Sequence, residues 1–238
     1  MKLLVTNDFI EPWIQVDETN FENILNRLIF LHFKGAIFEN ISRAELDHLK
    51  DRIVIEDEFL LFNRRTIESS KKNPNDMDKI RNEFDLVCFF CTNAEITKWA
   101  CQDQRIDCLT FQLSEIHLLV DDSTVNLAKN QDKAIEIDFS ELLLKKNPIS
   151  SLRNIKKVMH RAARKNLPVI FSSRARNVFN LRSVYSLIGF LEFIDVKSNY
   201  YDEISQKWLY ERLIRNQIRK KEFFLAPGIW IKNNEEAN

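Results

Sequence analysis

A TIM-like (β/α) barrel is the fold class this sequence predicts, on three observations. Short apolar runs alternate with amphipathic stretches along the whole chain. Such a βα repeat implies parallel strands with helices packed outside them. About eight strand candidates fall within 238 residues, close to the ~250 residues usual for a closed barrel. No GxGxxG follows any strand, so a dinucleotide fold has no support; an open doubly wound sheet is the alternative architecture.

The first strand is expected at KLLV from Lys2, ahead of a helix opened by Thr19 with Glu22 three residues on. That spacing is a capping box, in which two side chains satisfy orphan N–H groups reciprocally. GAIFE from Gly35 and IVIEDEFLLF from Ile53 follow as strands, the second long enough for a hairpin or an insertion. The polar segment NRRTIESSKKNPNDMD, Asn63 to Asp78, reads as a mobile loop, since Ser, Asn, Asp and Pro clusters punctuate regular structure. LVCFF at Leu86, a helix from Asn93, CLTFQ at Cys108 and a helix from Ser123 continue the alternation. KAIEID at Lys133, a helix from Ser151, PVIFSS at Pro168 and a helix from Asn180 come next. LEFIDV is an eighth short run, leading to a helix from about Tyr201 to Lys220. No Pro/Gly/Ser-rich linker interrupts the chain, so residues 1–238 read as a single barrel domain ending in a C-terminal helix plus tail at 201–238.

Net charge is zero, with 35 basic and 35 acidic residues, but the signs are sorted. Met1 to Glu141 holds 16 basic and 27 acidic residues; Leu142 to Leu191 holds 11 basic and none acidic. Segregation of this kind points to a polyanion-binding face. In a helix from Ser151, Leu152, Ile155, Val158, Met159, Ala162 and Ala163 fall within one arc of about 140°. Arg153, Lys156, Lys157, His160, Arg161, Arg164 and Lys165 fill the opposite arc. An ordinary solvated face mixes signs for i,i+4 support. This one forgoes that support, which makes sense where phosphates supply the anions. Beyond the seventh strand, Ser172 and Ser173 offer hydroxyls, while Arg174, Arg176 and Arg182 offer planar forks matched to phosphate. In a barrel that loop lies on the C-terminal face and often binds phosphate. Arg182 has the alternative of capping or bridging the next helix.

No catalytic or metal-binding constellation emerges. His32, His48, His117 and His160 form no HxH or HxxE spacing. Cys88 and Cys91 share one strand, where a spacing of three puts them on opposite faces; with Cys101 and Cys108 they read as buried thiols. Glu136 and Asp138 point the same way, as acid/base carboxylates would, but with no nucleophile beside them they read as polar residues inside or at the rim of a barrel. The expected catalytic residues, metal ligands and chain-bound cofactors are therefore none. FENILNRLIFLHF carries Arg27 and His32 and falls short of a bilayer span. MKLLVTNDFIEP turns polar too soon for a signal peptide, so the expected setting is a reducing cytoplasm with no membrane contact.

The segments RIDCLTF, STVNLAKNQDKAIEIDFSELL and LPVIFSSRARNVFNLRSVYSLIGFLEFIDVKS resemble a known family. It is the TIM-barrel protein of archaeal and eukaryotic ribonuclease P, called component 3 in archaea. The resemblance spans roughly Asp85 to Lys197, with the first eighty residues matching loosely and 51–80 looking like an embellishment. It implies a barrel related to metal-dependent phosphoesterases but without their ligands. It implies that ribonuclease P RNA and its Mg²⁺ do the chemistry, with this protein non-catalytic. The protein and a small partner subunit of another fold would support removal of the 5′ leader from precursor tRNA. By position, Arg182 matches the family's Arg after the last long strand, Arg153 a basic helix position, and Lys197 a basic position beyond the "lG" element. The family's Asp-His before the "lAk" helix is here Asp122-Ser123, and its "SSdA" is Ser172-Ser173-Arg174-Ala175. A phosphoesterase of the parent superfamily and a small-molecule phosphate-binding barrel remain the alternative functions. Tyr200, Tyr201 and Trp208 read as packing residues.

Overall fold

The computed structural model describes residues 9–16, 19–51, 59–220, 224–226 and 229–230. Among them, seven strands lie side by side in chain order, each pair parallel. They are β1 (Ile10–Ile14), β2 (Gly35–Glu39), β3 (Leu60–Glu68), β4 (Leu86–Cys91), β5 (Cys108–Phe111), β6 (Ala134–Asp138) and β7 (Val169–Ser172). The helices between them are α1 (Phe21–Phe30), α2 (Arg43–Asp51), α3 (Met77–Glu83), α4 (Ala94–Gln102), α5 (Ile116–Leu119), α6 (Asp122–Asn130), α7 (Phe139–Leu144) and α8 (Ile149–Lys165). After β7 come α9 (Val184–Phe193), α10 (Ser198–Tyr200), a π-helical turn (Tyr201–Gln206) and α11 (Lys207–Arg219), then a short antiparallel pair, β8 (Phe224–Ala226) with β9 (Ile229–Trp230).

Strand alternation divides the core in two. Outward residues such as Phe38, Phe89, Leu109 and Phe171 join the helices in the main apolar cluster. Inward residues Ile10, Ile37, Phe62, Cys88, Cys108 and Ile170 form a smaller cluster that Leu209 and Leu213 of α11 complete. Thus α11 plugs one end of the barrel. Arg212 pairs with Asp107 and Asp132, Lys220 with Asp85, and Asn216 donates to the Asp85 carbonyl at 2.9 Å.

Among the described residues the ring closes without an eighth strand. Past β7, Gln15 N–H donates to the Ala175 carbonyl at 2.8 Å, linking β1 to the β7 continuation in a bridge of Ile14 with Ala175. Below it, side chains of the π-helical turn serve the two open strand edges. Gln206 Oε1 accepts from Ile10 N–H at 3.0 Å, Ser205 Oγ from Val169 N–H at 3.1 Å, and Tyr201 OH from Phe171 N–H at 3.4 Å. Buried N–H groups need such partners, and π-turns recur where a helix carries a special task.

Several sequence expectations differ from the structure. The strand expected at KLLV lies outside the described residues; the first strand among those described, β1, is IEPWI, which was not expected and whose internal Pro12 is tolerated because β1 sits at a sheet edge. Ile53–Glu58 also lies outside them; the described strand β3 runs from Leu60 through Glu68, into the segment expected to be a mobile loop. Its polarity is no sign of exposure, since Asn63 and Arg64 are fully buried. LEFIDV is the end of α9 and the turn after it, not a strand; a short apolar run cannot be told from a buried helical segment by periodicity. The helix after Thr19 starts at Phe21 with Asn20 in the N-cap position.

Candidate nucleic-acid interface and barrel mouth

Inward positions at the C-terminal strand ends carry charge rather than apolar side chains. Arg64, with no exposed surface, is the centre. Its guanidinium donates to Glu136 through two nitrogens, at 2.6 and 2.8 Å, to the Pro12 carbonyl at 2.7 Å and to Thr66 Oγ1 at 3.0 Å. Glu39 Oε2 lies 3.1 Å from its Nε and also accepts from Thr66 Oγ1 at 2.8 Å. Trp13 is flanked by two guanidiniums, Arg64 at 4.3 Å and Arg174 at 4.6 Å from its ring. Asp138 caps α7, accepting from Ser140 N–H at 2.9 Å, and lies 3.4 Å from Arg174 Nη1. Arg174 takes a left-handed backbone, φ 44°, a strained choice for a long side chain that clusters at functional positions. Burial pushes the Glu11 carboxyl up to about 7, against the opposing hydrogen bond from Ser173 N–H.

The mouth is therefore a closed ion-pair network. Glu136 and Asp138, singled out as the two carboxylates of one strand, are buried as expected and already committed to Arg64 and to Ser140 with Arg174. Among the described residues no group of three or more His, Cys, Asp or Glu is placed to hold a metal ion. The four thiols are unbridged and buried, Cys88 and Cys108 inside the ring, Cys91 and Cys101 outside it. Arg64 was missed from sequence because it sits in a hydrophilic stretch; the only available signal was its i,i+2 relation to Phe62 and Thr66 on a β-rich run.

The nine cations expected to meet phosphate occupy three settings. On α8, Ile155, Val158, Met159 and Ala162 are buried while Arg153, Lys156, Lys157 and Arg164 are exposed. Arg153 and Lys157 have no acidic partner among the described residues. Lys156 pairs with Asp195 at 2.5 Å and Arg164 with Asp122 at 3.4 Å, both at exposed positions; such pairs are weak and yield readily to a competing anion. Arg161 departs from the expected outward face: it is half-buried and donates to the His117 and Val120 carbonyls, fastening α8 to the end of α5. Around β7, Arg174 belongs to the mouth, and exposed Arg176 donates to Gln15 Oε1 at 2.7 Å. Arg182 donates to the Phe179 and Leu181 carbonyls at 2.8 and 2.9 Å, the bridging alternative raised from sequence. Lys197 is exposed and lines a surface depression with His160 and Arg164. Tyr200 and Tyr201 are buried, as packing residues should be.

Fold and charge together define a TIM-like barrel with a filled mouth and a cationic flank. A family model described as RNase P subunit p30 matches residues 8–222, and the chain belongs to that family of ribonuclease P protein subunits. Among solved structures, a chain of the cryo-EM structure of archaeal Ribonuclease P with mature tRNA is similar, at a TM-score of 0.78 and 19% identity. The likeness covers 94% of this chain and 99% of that one, and it carries the fold. No curated protein matches by sequence. No helix among the described residues is long and apolar enough to cross a membrane.

Proposed function

We propose that this protein is a non-catalytic subunit that holds ribonuclease P RNA by the exposed face of α8 and supports removal of the 5′ leader from precursor tRNA. The observation that carries the reading is a 17-residue helix without a single acid, on which Arg153 and Lys157 face solvent unpaired among the described residues. Lys156 and Arg164 join them by exchanging exposed carboxylates for phosphates. Arg176 and Lys197 extend the contact, while Arg174, Arg161 and Arg182 position backbone and neighbouring side chains. The RNA's own Mg²⁺ performs the hydrolysis, and a small partner subunit completes the assembly in the cytoplasm. Binding of this kind follows helix shape and phosphates more than base identity.

Reconstitution tests it. RNA and partner subunits assayed for leader removal should gain activity on adding this chain, and the Arg153→Glu/Lys157→Glu form should restore much less. Equal activity with either form would contradict the role given to α8.

A further inference from the structure

A groove of about 740 Å³ runs between α1 and the loop joining β7 to α9, within the ~300–1,000 Å³ typical of ligand clefts. Of the nine cations above it contains only Arg182. Two phenylalanines line it nearly bare: Phe30 is 69% and Phe179 85% exposed. Asn23, Asn26, Arg27 and Phe30 fall on one exposed stripe of α1, three or four residues apart, as neighbours on a helix surface do. Neither Asn23 nor Asn26 has a hydrogen-bond partner among the described residues. No acidic side chain lines the groove.

The Phe30 ring is covered by a cation, and the backbone that presents Phe179 is fixed. Arg27 places its guanidinium 4.9 Å from the centre of Phe30. Asn177 Oδ1 accepts from Phe179 N–H at 3.0 Å, and Arg182 Nη1 donates to the Phe179 carbonyl at 2.8 Å. Asn20 Nδ2 donates to the Arg176 carbonyl at 3.0 Å, tying α1 to the same loop.

We propose that this groove takes an unpaired nucleotide of a single-stranded RNA segment, a proposal that rests on the RNA-binding reading above. The base stacks on Phe30 or Phe179, as bases do on exposed aromatics in single-strand binders. Asn23 and Asn26 supply amide donors and acceptors to the base edge, the recognition used for splayed-out bases in RNA. Arg27 meets a flanking phosphate, while Arg182 holds the Phe179 backbone. An apolar protein segment in the same place would bury those amides without partners, an unfavourable outcome; a base satisfies ring and amide together.

The test uses the full chain and fluorescence anisotropy with a short fluorescein-labelled RNA, single-stranded or annealed to its complement. Phe30→Ala/Phe179→Ala should weaken single-strand binding about 10- to 100-fold, with duplex affinity and salt dependence unchanged. Phe30→Tyr/Phe179→Trp should keep most of the affinity. Arg153→Glu/Lys157→Glu should weaken both RNAs. Ultraviolet crosslinking of the parent chain to the single strand should mark peptides carrying Phe30 or Phe179. Unchanged single-strand affinity in the alanine form, equal loss for the duplex, or crosslinks confined to other segments would each overturn the groove assignment while leaving α8 intact. Failure of the parent chain to bind either RNA would overturn both.

Discussion

Arg64 governs the barrel mouth. Truncating it would leave Glu136 and Glu39 buried without their counter-charge, and breaking such a pair costs about 3–5 kcal/mol. Arg64→Ala should therefore show a much lower urea midpoint, and adding Glu136→Gln should recover part of the loss; a single variant as stable as the parent would refute the network. Glu11 adds a pH dependence. Its folded pKa of about 7 lies above the ordinary 4.5, so the folded chain holds a proton that the unfolded chain releases between those values. That contribution is complete below pH 4.5 and is lost as pH rises through about 7. Glu11→Gln keeps an acceptor for Ser173 N–H and removes the ionisation. Urea titrations across that window should find the variant less pH-sensitive, by up to about 3 kcal/mol; an identical profile would contradict the buried carboxyl. At this scale the sequence disclosed parity, as with Cys88 and Cys91, but not partners. Arg64 lies 72 residues from Glu136, and nothing local marks that meeting.

Among the elements, α8 was the most legible, because a 3.6-residue period is written in adjacent residues. What its period could not reveal was Arg161, whose partners are carbonyls of another helix. The π-helical turn and α11 were legible only as one helix. Their task, closing a seven-stranded ring, depends on the edges of β1 and β7, which are brought together by the whole fold. Gln206→Ala should leave Ile10 N–H buried without its partner, at about 1–3 kcal/mol, measured as a drop in urea midpoint. Wild-type stability would show that the Gln206 amide does not serve that edge. β3 was obscured for the opposite reason: a strand whose inward residues form an ion-pair network reads as a loop on hydrophilicity alone.

At the scale of the whole molecule, alternation of strands and helices sufficed for the barrel, and the charge count sufficed to single out α8. The interior ion pairs, the aromatic groove and the closing turn were out of reach, since each joins residues distant in sequence. The central claim is that unpaired cations on α8 exist to release counterions from RNA. It is tested most directly by measuring affinity for ribonuclease P RNA as KCl rises, for the parent chain and for Arg153→Glu/Lys157→Glu. Affinity of the parent should fall linearly on logarithmic axes, and loss of the two contacts should flatten the slope by between one and two units, at ~0.7–0.9 per phosphate. A salt-insensitive parent, or two chains with the same slope and affinity, would contradict it.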